Sequence, residues 1–389
     1  MLRHWDERPL ADLLASHGLA GVPELPFAHD GWSGASLTRL VRPTDGMAFI
    51  LKRSSWAVDW IARSTRDHAL REGFIAAMPL PLPSPLVAPY HGAGADGTSV
   101  GILMPDLSDR LLAWDLGEAP PDPAAFGRIL DALARLHATP WPIAEQPDAD
   151  HQWPTAPLME RLLLLAPRSA ERLADGGLDA GLRFRQGWAA FRRLASPAAV
   201  RLVADLDADA TPLLAALARL PATGLHGDLK LSNVALLDGG RIALIDWQMT
   251  MLGPIAVELG WLLVGNSGVL ADPPDVVLDA YRRAVEGVGG STCELGSPFD
   301  PGLTFPDAAL AAVVGVAGYG SGTKFRSTDR ILGDWAVQVD LAWIIGLLLR
   351  GWRKGLDAEA GAVLASGLSA SDDLDLWCER ALRAARRRL

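Results

Sequence analysis

The sequence predicts an α+β protein with two unequal parts, a small sheet-rich one followed by a larger, mainly helical one. Three observations carry this. Strand-type apolar runs broken by Gly, Pro and Asp turns fill the first hundred residues. Ala- and Leu-rich helical segments dominate after residue 108. One polar-rich stretch, "GLHGDLKLSNVALLDGGRIALIDWQ" at 224–248, interrupts the helices with short strands.

Each element has its own justification. In "SLTRLVRPTDGMAFILKR" (36–53), β-favouring runs flank a Pro-Thr-Asp-Gly turn, which reads as a hairpin. "STRDHALREGFIAAM" reads as one helix with an apolar side, and Ser64 and Asp67 have capping-box spacing. "LVAPYHGAGADGTSVGILMPDL" reads as a second hairpin around a Gly- and Asp-rich turn. In "AAFGRILDALARLHATPWP", Ile129, Leu133 and Leu136 share one side of a helix that ends before proline. "VALLD" and "RIALID" around Gly239 and Gly240 read as a small hairpin, and 175–183 and 289–302 as surface loops.

Composition narrows the function classes. The chain has 389 residues, 49% hydrophobic and 21% charged, which suits a globular protein of two domains or one enlarged domain. A net charge of −10 argues against a general nucleic-acid binder, whose affinity rests on Lys and Arg neutralising phosphates. Two cysteines, Cys293 and Cys378, lack disulfide-framework or metal-ligand spacing and read as reduced thiols. The first residues lack the apolar core of a signal peptide, and "LAWIIGLLLRGW" is cut by Arg350 after nine residues. The expectation is therefore a cytoplasmic protein with no membrane or nucleic-acid partner. Oligomeric state is left open.

His226, Asp228 and Asn233 form H-x-D-x-x-x-x-N, and Asp246 follows thirteen residues after Asn233 at the end of an apolar strand. Phosphoryl transfer from a magnesium nucleotide needs a carboxylate to orient the acceptor hydroxyl and oxygen ligands to hold Mg²⁺ on the phosphates. Asp228 supplies the first, and Asn233 and Asp246 supply the second. Lys230 adds a cation near the transferred group. Upstream, Gly31, Ser33, Gly34 and Ser36 precede a strand, where small residues let backbone N–H groups approach phosphates. Lys52 near the next strand end reaches for the α- and β-phosphates, and Glu72 on the following helix pairs with it.

In this order the motifs resemble the aminoglycoside phosphotransferase and choline kinase family, the small-molecule branch of the protein-kinase-like fold. The resemblance covers roughly residues 25–265 by motif. It implies a bilobal chain, with an N-lobe over 1–104 (antiparallel sheet and one main helix) and a C-lobe over 105–389. It implies ATP at the cleft, with GTP an open alternative, together with Mg²⁺ and a hydroxylated small-molecule acceptor. "GILMPDL" then matches the hinge: Met104 at the gatekeeper position, with the Pro105 carbonyl and the Leu107 N–H facing adenine. Glu258, where relatives carry aspartate, would hold the catalytic loop. Gly227 replaces the arginine of protein kinases, and eleven residues between Asp246 and Glu258 leave no room for an activation segment. A protein kinase and a nucleotide-binding scaffold are the poorer alternatives.

For the acceptor, the C-lobe stretches around Asn266, Asp334, Trp335 and Asp340 suggest an acidic, aromatic wall. Such a wall would suit an amino sugar, an aminoglycoside or a choline-like cation. No zinc motif or serine-hydrolase elbow competes with this reading.

Overall fold

The computed structural model describes residues 4–28, 31–78, 82–140, 155–292 and 324–389. Its N-terminal part is an antiparallel sheet in the order β1-β2-β3-β6-β5, built from β1 (Leu25–Pro26), β2 (Ser36–Val41), β3 (Ala48–Ser54), β5 (Gly92–Asp96) and β6 (Ser99–Pro105). Both expected hairpins are present. β2 pairs with β3, β5 pairs with β6, and β3 pairs with β6 so that Lys52 stands opposite Ile102.

Strand alternation decides what Lys52 faces. Phe49 and Leu51 point to one side, where helix α1 (Leu10–Ser16) seals them beneath Leu10 and Leu13. Ile50 points to the other side, into the main core, and Lys52 shares its parity. That side is covered by α3 (Arg71–Ala77), which carries Glu72. Helix α1 has no counterpart in the sequence reading.

The single helix expected from 64 to 78 is broken. It forms α2 (Trp60–Ser64) and α3, with Arg66 and Leu70 both left-handed between them. Asp67 does not close a box with Ser64. Its carboxylate accepts the Arg71 backbone N–H at 2.9 and 3.0 Å, starting a new helix. Arg71 itself is buried: its Nε donates to the Gln248 carbonyl at 2.9 Å and an Nη donates to Thr65 Oγ1, tying α3 to the segment after Asp246.

Beyond the hinge, helices take over: α4 (Pro123–Ala138), α5 (Leu158–Leu163), α6 (Pro167–Asp175), α7 (Asp179–Leu194), α8 (Pro197–Ala208) and α9 (Thr211–Leu217). Short strands then bracket the polar stretch. β7 (Thr223–Leu225) pairs with β10 (Met251–Gly253), and β8 (Val234–Leu236) pairs with β9 (Ile242–Leu244), which also takes β4 (Leu86–Val87) in parallel. α10 (Ile255–Gly265), α11 (Pro274–Val288), α12 (Thr328–Leu332), α13 (Trp335–Glu359) and α14 (Ala370–Arg388) complete the chain. The loop expected at 175–183 is shorter, because α7 already begins at Asp179. Most of the 289–302 loop, with Cys293, lies outside the described residues. Cys378 is a buried free thiol pushed up to about 12, chiefly by burial.

Helix α13 is the axis of the C-terminal part, with α7, α10 and α14 packed around it. Its crossing with α10 is close enough that a Cβ on Gly260 would sit 2.6 Å from the Ala342 carbonyl oxygen. Arg350 does not interrupt this helix. The stretch Thr328–Glu359 is long and apolar enough to cross a membrane by length and composition, yet 67% of its most apolar window is buried inside the fold. Its apolarity is that of a core helix. The observed class is the expected one, a mixed α+β chain with an antiparallel N-terminal sheet and a larger helical remainder.

Candidate active site

The catalytic-loop stretch is positioned by its flanking strands. β7 delivers His226, β8 leaves from Asn233, and β9 delivers Asp246. Because Val234 stands opposite Leu244, the ladder continues one residue further, with the Ile245 N–H donating to the Asn233 carbonyl at 3.0 Å. The small hairpin therefore sets Asn233 beside Asp246. Asp246 adopts a left-handed conformation (φ +63°) as the chain turns out of β9.

Gly227 is required by geometry. Its φ is +81°, and a Cβ there would lie 2.0 Å from the Met249 carbonyl oxygen. Its carbonyl accepts two N–H groups from Arg161 of α5, at 2.9 and 2.8 Å. Glu258 of α10 lies fully buried beneath the loop and accepts the backbone N–H groups of His226 and Gly227, both at 2.8 Å. Burial would raise this carboxyl, but its bond and ion pair with His137, the nearby His226 and the Gly227 N–H hold it below the usual carboxylate range. Glu258→Gln replaces one of these acceptors with an NH₂ facing an N–H. The expected cost is about 1–3 kcal/mol of stability, read as a lower urea midpoint. An unchanged midpoint would remove Glu258 from this role.

The charged groups converge as the motif order suggested. Lys52 Nζ lies 2.5 Å from Glu72 Oε2 and 2.9 Å from Asp246 Oδ1. Burial disfavours the ammonium, but the two carboxylates outweigh it and raise Lys52 above its ordinary value. Burial also opposes the Asp246 carboxylate, yet Lys52 and Lys230 hold it down at about 2. Glu72 moves upward, because burial outweighs the Lys52 ammonium. Tyr90 steadies it, donating to Oε1 at 3.0 Å. Asn233 donates its amide to the Asp228 carbonyl at 2.9 Å and to the Asp228 carboxylate at 3.2 Å. Lys230 Nζ stands 3.7 Å from Asp228 Oδ2.

Asp228, Lys230 and Asp246 line one cavity with Gly31, Trp32 and Ser33 of the glycine-containing turn. That turn is held by α2: the Trp60 N–H donates to the Ser33 carbonyl at 3.0 Å, and Ser33 Oγ accepts from the Ala35 N–H at 3.3 Å. Gly34 has φ +93° and lines a neighbouring groove beside Trp32, and Ser36 opens β2. In the stretch expected as the hinge, Met104 is buried opposite Ile50 and Pro105 stands opposite Phe49 at the end of β6. The Leu107 carbonyl begins a turn with Arg110 and Leu111.

The residues expected to form an acidic wall do not line this cavity. Asn266 is fully buried under the catalytic loop, its Oδ1 accepting the Leu231 N–H at 2.7 Å and its Nδ2 donating to the Leu229 carbonyl at 3.2 Å. Asp334 caps α13 by accepting the Val337 N–H at 3.1 Å. Trp335 stacks on Tyr281, their ring centroids 6.3 Å apart. Asp340 is paired with Arg387 and Arg388 of α14, so the basic tail closes a helix contact. These four serve folding contacts, and none lines the cavity that holds Asp228. Instead, sequence reasoning missed Arg161, Arg350, Trp114, Trp261 and Trp352, which do line it. A lone arginine inside each of two apolar runs, "MERLLLLAP" and "IIGLLLRGW", was the available signal.

Among the described residues no group of three or more His, Cys, Asp or Glu could hold a metal ion. One aspartate and one asparagine are nonetheless what Mg²⁺ takes from a protein when phosphates and water complete its shell. Asn233 commits its N–H groups to Asp228, which leaves its amide oxygen to offer. The donor set fits Mg²⁺ and would not suit a soft metal.

Choline kinase from Cryptosporidium parvum Iowa II is 8% identical and has a TM-score of 0.47, with 94% of this chain and 89% of that one covered. An ethanolamine kinase of Plasmodium vivax is 13% identical (97% and 86% covered, TM-score 0.42). A macrolide 2'-phosphotransferase from Brachybacterium faecium is 16% identical (96% and 97% covered, TM-score 0.33). No curated protein matches the chain in sequence. A model of the phosphotransferase enzyme family (APH) matches residues 27–294, well over half of the sequence and every motif described above, and the chain belongs to that family.

Proposed function

We propose that the protein transfers the γ-phosphoryl group of ATP, with Mg²⁺, to a hydroxyl group of a small molecule. The observation that carries this reading is that Asp246, paired with Lys52 and through it with Glu72, and Asp228, bonded by Asn233, line one cavity. When bound, Mg²⁺–ATP supplies the phosphoryl group and neutralises the charge on its oxygens. Asp228 orients the acceptor hydroxyl and takes its proton. Asn233 and Asp246 hold the metal, and Lys52, fixed by Glu72, holds the phosphates. Lys230 adds positive charge beside Asp228, the turn Ser33, Gly34 and Ser36 covers the phosphate tail, and Met104, Pro105 and Leu107 border adenine. In this reading the N-lobe ends at 104 and the C-lobe starts at 105.

A protein kinase is the weaker reading. Between Asp246 and Glu258 the chain makes one turn of 3₁₀ helix, strand β10 and the start of α10, with no extended segment for a peptide. The test is ADP release from Mg²⁺–ATP across a library of hydroxylated metabolites and antibiotics. Acceptor-dependent ADP formation is expected. ADP release with generic protein substrates alone would favour the protein-kinase reading, and no release even to water would favour a scaffold.

A further inference from the structure

The cavity that holds Asp228 has an unexpected charge pattern. Besides Asp228 and Asp246, the charged side chains lining it are all cationic: Lys230, Arg161 and Arg350. Four of these five groups are already engaged within the protein: Asp246 by Lys52, Asp228 by Asn233, Lys230 by Asp228, and Arg161 by the Gly227 carbonyl. Arg350 is different. It is 5% exposed, and its guanidinium carbon lies 5.2, 5.3 and 5.3 Å from the ring centroids of Trp114, Trp261 and Trp352. Its Nε is buried without a hydrogen-bond partner, and among the described residues no carboxylate forms an ion pair with it.

Burial and the nearby Arg353 lower Arg350 to about 10 against the pull of Asp357, Asp228 and Asp115, so the guanidinium remains charged at neutral pH. Aromatic faces offset part of the cost of burying a cation, but they leave its N–H groups without acceptors. A planar guanidinium on an apolar floor is matched by a planar carboxylate, which accepts two parallel N–H bonds. The walls beside it, Trp32, Trp352 and Phe184, are flat and apolar. The cavity measures about 120 Å³, below the roughly 300–1,000 Å³ usual for ligand pockets, which favours a compact guest.

We propose that the acceptor is a compact alcohol bearing a carboxylate on a flat, apolar body, with Arg350 binding the carboxylate and the hydroxyl directed at Asp228. This rests on the phosphotransferase reading above and replaces the amino-substituted acceptors expected from the sequence. Arg350 is then a specificity residue, and the nucleotide does not depend on it.

The test uses three matched probes, para-(hydroxymethyl)benzoate, its amide and the corresponding benzylamine, titrated into the full chain by calorimetry with tryptophan fluorescence as a second readout. The benzoate is expected to bind roughly 10- to 100-fold more tightly than the amide, as a charge-assisted pair requires. Arg350→Gln should remove that advantage and leave ATP affinity within about threefold, whereas Arg350→Lys should keep part of it. The wild-type comparison stands even where a variant folds poorly. Equal or tighter binding of the benzylamine, no binding of any probe, an acid preference that survives Arg350→Gln, or a parallel loss of ATP affinity would each overturn the proposal. Acid-selective binding with no ADP formed from Mg²⁺–ATP with any hydroxylated acceptor, or to water, would instead defeat the phosphotransferase reading and leave the carboxylate site standing.

Discussion

Asp228→Ala should lower turnover by roughly 10²–10⁴-fold, the usual contribution of a positioned general base, while Mg²⁺–ATP affinity should stay within a few-fold. The geometry explains the separation. Asp228 lines the cavity, and its carboxylate is oriented by the Asn233 amide at 3.2 Å. Its backbone is held independently: Gly227 is clamped by Glu258 and Arg161, and the Asn233 amide also bonds the Asp228 carbonyl. The loop therefore keeps its course when the side chain is removed. A variant that retains turnover in steady-state ADP release would take the proton-accepting role away from Asp228.

Asp246→Ala should act on binding. Its carboxylate is ionised, held at about 2 against burial by Lys52 and Lys230, and it sits in a left-handed turn at the end of β9. Losing it removes a proposed metal ligand and leaves Lys52 paired with Glu72 alone. The dissociation constant for Mg²⁺–ATP should rise by about tenfold or more, the equivalent of at least one charge-assisted interaction. Calorimetry with and without Mg²⁺ separates the two consequences: loss confined to the Mg²⁺ titration identifies Asp246 with the metal. Unchanged affinity in both would count against it.

The parts of this site that were legible in the sequence are those whose spacing is local. H-x-D-x-x-x-x-N and Asp246 directly flank one hairpin, so chain order alone sets their separation. Lys52 and Glu72 were legible because strand parity and helix order point them at each other, even though the intervening helix was misread. That misreading came from a tertiary tie: the buried bonds of Arg71 to Thr65 and Gln248 favour a new helix started by Asp67 over a continuous one.

The cavity wall was missed because its residues come from α5, α10, α13 and the segment after β6, far apart in sequence. Polar residues near helix starts, such as Asp334, proved to be caps, and Asp340 met the C-terminal arginines. Arg350 was read as a break in an apolar run. In the fold it is a buried cation among three tryptophans, information that the run carried and periodicity did not express.

The most direct test of the central claim is ³¹P NMR of Mg²⁺–ATP incubated with the protein and an acceptor found in the ADP-release screen. ADP and a new phosphomonoester resonance should rise in equal amounts, and both should be lost with Asp228→Ala. ADP accompanied only by inorganic phosphate, or a phosphomonoester formed equally well without the Asp228 carboxylate, would contradict it.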